Sequence, residues 1–246
     1  MKTYLHDGSF EGLLTSLYEA FYSKEKPYGI CCEGDYVPNL LTVPVAVITN
    51  MEKAGKVSFA IEEKISTEAL KKINMVFLSD SVDAGHFIYH YLKLGFKVGD
   101  KVDCYLNHDV VMSMNSLESK VKLESHRMKG FIRFRKIGDF FYARFEPVHN
   151  VLPLIWEHFT KRLPAESFIL HDIRRGIAFF YHKGDHYMAP FAKDETRIFL
   201  ESGNDCLYEE LWREFYKSIT VEGRENKRQQ KSYMPVRYWK HLTEMK

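Results

Sequence analysis

The sequence predicts an α+β protein: a largely antiparallel sheet with hairpins, packed by amphipathic helices, with a helical segment in the middle of the chain. Three observations carry this expectation. Alternating apolar and polar residues over 131–146 are interrupted only by Gly138-Asp139, a two-residue loop that suits the twist of a hairpin. A second such pair, Gly184-Asp185, separates two further alternating runs. Between them, and again between Thr67 and Ser125, apolar residues recur at helical spacing. Strand pairs separated by a helix and joined by tight turns belong to an α+β fold.

The elements follow in order. Tyr4-Leu5 reads as a short strand and Asp7-Gly8 as a turn; Ser9 then caps a helix with Phe10, Leu13, Leu14, Leu17, Tyr18 and Phe21 on one face. Pro27, Pro38 and Pro44 break the next stretch, and residues 45–49 and 57–61 read as strands. Residues 67–125 are mostly helical, with Val110, Met114, Leu117 and Val121 in register behind an Asp103 cap. The hairpin strands are 131–137 and 140–146. Asn150 caps a helix over 151–163, which tolerates Pro153 in its first turn and stops at Pro164. Residues 168–172, 177–183 and 186–191 are strands, and Asp205 caps a last helix with Leu207, Leu211, Phe215 and Ile219 on a buried stripe. Two domains are expected, an N-terminal α/β segment over 1–75 and an Arg-rich α+β domain over 76–246.

Charge separates the two ends of the chain. All 12 arginines follow residue 126, while lysines run throughout. Residues 1–118 carry 11 Lys and 16 Asp/Glu, a net −5; residues 119–246 carry 24 Lys/Arg and 17 Asp/Glu, a net +7. Arginine suits bidentate recognition of phosphate or carboxylate and stacking on flat rings, so the second half is expected to meet an anion. No apolar run reaches the roughly 18–20 residues that span a bilayer, and the opening residues lack a signal-peptide apolar core, so a cytoplasmic protein with no membrane contact is expected. The four cysteines, Cys31, Cys32, Cys104 and Cys206, make no Cys-x-x-Cys pair; they read as buried or idle thiols, and no metal site or cofactor is expected. The phosphate-loop, dinucleotide-binding, nucleophile-elbow and zinc-protease motifs are all missing, which weighs against those chemistries.

The candidate binding residues lie in three places. Alternation puts Arg133 and Arg135 on one face of the first hairpin strand, and Phe140, Tyr142 and Arg144 on the matching face of the second. Rings that stack and guanidiniums that follow phosphates are how proteins hold unstacked bases; an ordinary solvent face is the alternative. Residues 120–136 hold seven Lys/Arg, Arg127 and Lys129 among them, against one acid, Glu124. Residues 224–241 are similar, with Arg224, Lys227, Arg228 and Arg237 interleaved with Tyr233, Tyr238 and Trp239. The candidates for acid–base chemistry are His171, Asp172 and His126, with Arg174 and Arg175 beside the first two to grip a phosphate. Neighbours on a strand point to opposite faces, so His171 and Asp172 need not meet, and Asp172 could equally tie a turn.

At these residues the chain resembles a family of DNA metabolism and DNA repair proteins whose conserved domain carries an unknown-function label. The matching stretches begin with Tyr4-x-x-Asp7-Gly8-Ser9-Phe10-x-Gly12 and His126-Arg127-Met128-Lys129-Gly130-Phe131-x-Arg133-Phe134. They continue with Asn150-Val151-Leu152-Pro153-Leu154, His158-Phe159, Asp172-x-Arg174-Arg175, Leu211-Trp212, Ser218-Ile219 and Arg224-x-Asn226, and end with Met234-Pro235-x-Arg237-Tyr238-Trp239. The likeness is densest from about residue 84 onwards and thin between 28 and 80. Members of that family tend to accompany a radical SAM protein, and some are fused to a domain like a uracil-DNA glycosylase. The resemblance implies nucleic-acid binding in DNA repair or modification beside a partner enzyme. Two other readings stay open: an enzyme acting directly on nucleic acid, glycosylase- or nuclease-like, and an adaptor that binds protein.

Overall fold

The structure, a computed structural model, describes residues 1–38, 40–191, 207–219 and 226–245. It divides into two compact units, Met1–Leu123 and Glu124–Lys246. Both mix helices and sheet, so the α+β class holds.

The first unit is built on three parallel strands in the order β2-β1-β3, with β1 Lys2–His6, β2 Pro27–Cys32 and β3 Val43–Ala46. The register aligns Tyr4 with Ile30 and Val45 on one face. There they meet Leu13, Leu14 and Leu17 of α1 (Phe10–Tyr22) in a single core. Ile61 of α2 (Met51–Lys64), Ile73 of α3 (Thr67–Phe77), Ile88 and Leu92 of α4 (Ala84–Val98), and Val111 and Met114 of α5 (Asp109–Phe131) complete it. Ser9 caps α1, its hydroxyl accepting from the Gly12 N–H at 2.9 Å. Asp7 holds that turn from behind, accepting from the Ser9 N–H at 2.9 Å and the Thr49 hydroxyl at 2.7 Å. A Cβ on Gly12 would lie 2.3 Å from the Asp7 carboxylate, so only glycine fits this close approach.

Two expectations fail here. Residues 57–61 are not a strand: they lie in α2, whose N-cap Asn50 accepts from the Lys53 N–H at 3.0 Å. The short run Val57-Ser58-Phe59-Ala60-Ile61 alternates, but Ala54, Val57 and Ile61 are the positions that bury, while Phe59 is 65% exposed. The longer helical period outranks the local alternation. Asp103 caps no helix either, since α5 begins at Asp109. Its carboxylate accepts instead from the buried Lys72 ammonium at 2.6 Å and the Tyr91 hydroxyl at 3.0 Å.

The second unit carries five strands in the order β4-β5-β6-β7-β8: Arg135–Ile137, Phe140–Phe145, Phe168–Asp172, Ile177–His182 and Asp185–Pro190. Every neighbouring pair is antiparallel except β5 and β6, which α6 (Leu152–Arg162) joins as a crossover. One face packs Phe168 and Phe179 beneath α6, where Trp156 stacks on Phe179 at 5.2 Å. The other buries Ile137, Tyr142, Ile169 and Ala178, with Phe180 and Phe191 packed against them. Among the described residues two further helices follow, α7 (Leu207–Ile219) and α8 (Lys227–Tyr233), and then a 3-10 turn over Val236–His241.

Three expectations are corrected in this unit. The first hairpin strand starts at Arg135, because α5 continues to Phe131 and Arg133 folds back on its end. The Arg133 guanidinium donates to the Gly130 carbonyl at 2.7 Å, satisfying a terminal helix acceptor that a strand would not leave there. Asn150 does not cap α6; Val151 takes that position with no side-chain hydrogen bond. Three residues of the expected buried stripe of α7 are open, Leu211 and Ile219 at 56% and Phe215 at 51% exposure. Asp205 and Cys206 lie outside the described residues. Among the described residues no helix is long and apolar enough to cross a membrane, and no three His, Cys, Asp or Glu side chains gather as a metal site.

Candidate functional site

The second unit holds a cavity of about 820 Å³ at the β4 edge of its sheet. Several elements line it. The segment after α5 contributes Arg133 and Phe134, the β4–β5 hairpin contributes Arg135, Lys136 and Phe141, α6 contributes Phe159 and Arg162, and α7 contributes Trp212. Among the described residues Glu166 is the single acid in the lining, against four cations and four rings. Phe134 stands edge-on to Phe159 at 5.5 Å and to Phe168 at 5.8 Å, which makes those rings a rigid floor.

Among the described residues, Lys136 and Arg162 are exposed and make no hydrogen bond or ion pair. Phe141 is half-buried and stacks on no other ring, and the Glu166 carboxylate has no donor. Arg133 differs: it pairs with Glu244 through two bonds of 2.6 and 3.3 Å, and its guanidinium sits 5.6 Å over the Trp212 ring. Burial raises the Glu244 pKa, but Arg133, its own backbone N–H and the Trp212 indole N–H outweigh this, so it stays below the usual carboxylate range.

Most of the arginines singled out in the sequence serve the fold. Arg174 donates to the Val148 carbonyl at 3.1 Å. Arg175 donates to the same carbonyl at 2.8 Å and to Asp172 at 2.9 Å. Arg127 reaches the Ser232 carbonyl at 3.3 Å. Arg237 lies 4.7 Å over the Tyr238 ring and donates to its hydroxyl at 2.6 Å. That hydroxyl in turn donates to the buried Glu124, and burial with this bond pushes the Tyr238 pKa up to about 12. Glu124 also accepts the Val148 and His149 N–H groups at 3.0 and 2.7 Å, fixing the approach to α6. The Trp239 indole N–H is used by the Met234 carbonyl at 2.8 Å. Lys129, Arg144, Lys227 and Arg228 have no such bond among the described residues, and Arg224 lies outside them.

The expected arginine–aromatic face is present only in part. Register pairs Arg135 with Tyr142, so Arg135, Phe140, Tyr142 and Arg144 do share a face, but Arg133 precedes the strand. Tyr142 is 1% exposed and its ring offers no open surface for a base.

His171 and Asp172 point to opposite faces of β6 and do not meet. His171 is buried, its Nδ1 2.8 Å from the Tyr142 hydroxyl and its ring edge-on to Phe191. Burial lowers its pKa to about 4, with the Phe191 carbonyl opposing and Arg144 adding to the fall. Asp172 ties the β6–β7 turn, accepting the Arg174 and Arg175 N–H groups at 3.0 and 3.3 Å. Burial raises its pKa, against the pull of Arg175. His126 is exposed on α5.

Lys136, Phe141, Arg162, Glu166 and Trp212 are among the cavity residues that sequence reasoning did not single out as a site. Lys136 was legible only as one charge in a basic run, and Phe141 as a core ring. Arg162 and Trp212 come from helices 50 residues apart, so no local pattern could join them.

The family model of DUF4130, a domain of unknown function, matches residues 83–244. The cavity lies wholly within that stretch. No curated protein matches the chain.

Proposed function

The chain belongs to the DUF4130 family, and from that premise and the chemistry of its cavity we propose that it binds DNA at the β4 edge of the five-stranded sheet, in a repair or modification setting and beside a partner enzyme. One observation carries the reading: two cations that have no counter-ion among the described residues, Lys136 and Arg162, line the same cavity as an unstacked ring, Phe141, in a volume large enough for part of a ligand. Phosphate is the anion that uses dispersed single charges, and a base is the flat group that uses an exposed ring. Arg144, Lys129, Lys227 and Arg228 extend the supply of uncommitted charge in the same unit.

The repair setting and the radical SAM partner rest on the family resemblance of the motifs, not on the geometry. The runner-up, catalysis through His171, Asp172 or His126, has less support, since the first two are buried, diverge, and are committed to Tyr142 and Arg175.

Fluorescence anisotropy with labelled DNA, single-stranded and duplex, over a range of salt tests the proposal. Wild type should lose affinity steeply as salt rises. Lys136→Ala with Arg162→Ala should bind more weakly, with a log–log salt slope shallower by about 1.8, two phosphate contacts fewer. Absent or salt-insensitive binding would overturn the reading.

A further inference from the structure

We propose that the cavity takes one unstacked nucleotide of a DNA single strand, and that it prefers a base carrying an exocyclic amino group. The inference rests on the DNA binding proposed above and narrows what occupies the site.

The size argument comes first. A volume of about 820 Å³ is far too small for a duplex and ample for a single nucleotide, because pockets for ligands of that class run from roughly 300 to 1,000 Å³. A base must therefore leave its stack to enter. Phe141 supplies the face that such a base lacks once unstacked. It is the lining ring that touches no other ring, whereas Phe134 and Phe159 are already engaged edge-on with each other.

The charges then sort the ends of the nucleotide. Lys136 at the hairpin and Arg162 at the end of α6 are unsatisfied and exposed, and they suit the phosphate. Glu166 sits in the same lining with no donor, four residues beyond Arg162 in sequence and unpaired with it. A carboxylate can only accept hydrogen bonds. The N4 amino group of cytosine, the N6 of adenine and the N1–H and N2 amino of guanine each offer it donors. Thymine offers one N–H flanked by two carbonyl oxygens, which a carboxylate repels. The acid in an otherwise cationic pocket thus selects the base, while the cations hold the backbone.

The test is anisotropy of the full chain with fluorescein-labelled 12-nucleotide single strands of dC and of dT, at one low salt concentration. Wild type should bind the dC strand roughly fivefold or more tightly, as one discriminating base contact permits. Glu166→Gln, which can donate as well as accept, should bring the two strands to equal affinity. Phe141→Leu, which keeps apolar volume but removes the ring, should weaken both about tenfold. An unchanged thermal transition will show that each variant is folded. Equal wild-type affinities, or full affinity in Phe141→Leu, would overturn this inference while steep salt dependence on duplex left the DNA reading standing. Failure of both strands and of duplex to bind at low salt would overturn both.

Discussion

Replacing Arg133 by alanine separates a structural arginine from a DNA contact. The Glu244 side chain is only 2% exposed, and Arg133 gives it two of its three side-chain donors, at 2.6 and 3.3 Å; the Trp212 indole N–H at 3.0 Å is the third. The same guanidinium also satisfies the Gly130 carbonyl at the end of α5. Alanine would leave a buried carboxylate with only neutral donors, the Trp212 indole N–H and its own backbone N–H, and a helix end without its cap. Breaking a buried pair from one side costs about 3–5 kcal/mol, and the 26% exposure of Arg133 puts this pair at the lower end, about 3 kcal/mol. For a unit of this size that is a fall in Tm on the order of 10 °C. Urea titration followed by tryptophan emission measures the loss, since Trp212 reports on Glu244 directly. Arg133→Met combined with Glu244→Leu should recover most of it, because no charge is then left buried. A loss below about 0.5 kcal/mol in Arg133→Ala, the range of an ordinary surface substitution, would refute the reasoning. If that variant also lost DNA affinity while fully stable, Arg133 would be a phosphate contact after all.

Acidification should destabilise the protein through His171. Its folded pKa of about 4 lies below its unfolded value of about 6.5, so the stabilisation is complete above pH 6.5 and is lost as pH falls towards 4. The full loss is about 3 kcal/mol, and Tm measured at pH 7 and pH 5 should drop less in His171→Gln; an equal drop would exclude His171 as the source. Gly12→Ala should lower Tm sharply, since its Cβ must displace the Asp7 carboxylate that holds Ser9 and Thr49; a neutral result in a thermal melt would contradict the packing. Asn150→Ala should change stability by less than about 0.5 kcal/mol, where a working N-cap would cost about 1.

Local chemistry made much of this protein readable in advance. The cap at Ser9, the Gly138-Asp139 and Gly184-Asp185 turns and the helix that becomes α6 each depend on residues within a few positions of one another. Errors arose where two periods competed over a short window. Residues 57–61 alternate, yet α2 buries Ala54, Val57 and Ile61, and only the neighbours of the helix decide which period wins. Asp103 and Asn150 failed as caps for a related reason. A polar residue before an apolar run has the chemistry of a cap, but Lys72 and Tyr91 compete for Asp103 from distant positions.

The arginines show the same boundary most clearly. Their confinement beyond residue 126 and the resulting +7 of the second half are properties of the sequence alone, and they establish that this half must manage excess positive charge. Which of those charges face inward is a matter of tertiary structure. Arg133, Arg174, Arg175 and Arg237 spend their donors on Glu244, Asp172, Tyr238 and backbone carbonyls between 1 and 111 residues away. Lys136 and Arg162, less conspicuous in the sequence, are left with none. A guanidinium's role is set by the nearest acceptor in space, and sequence spacing specifies that acceptor only within a turn or a helix.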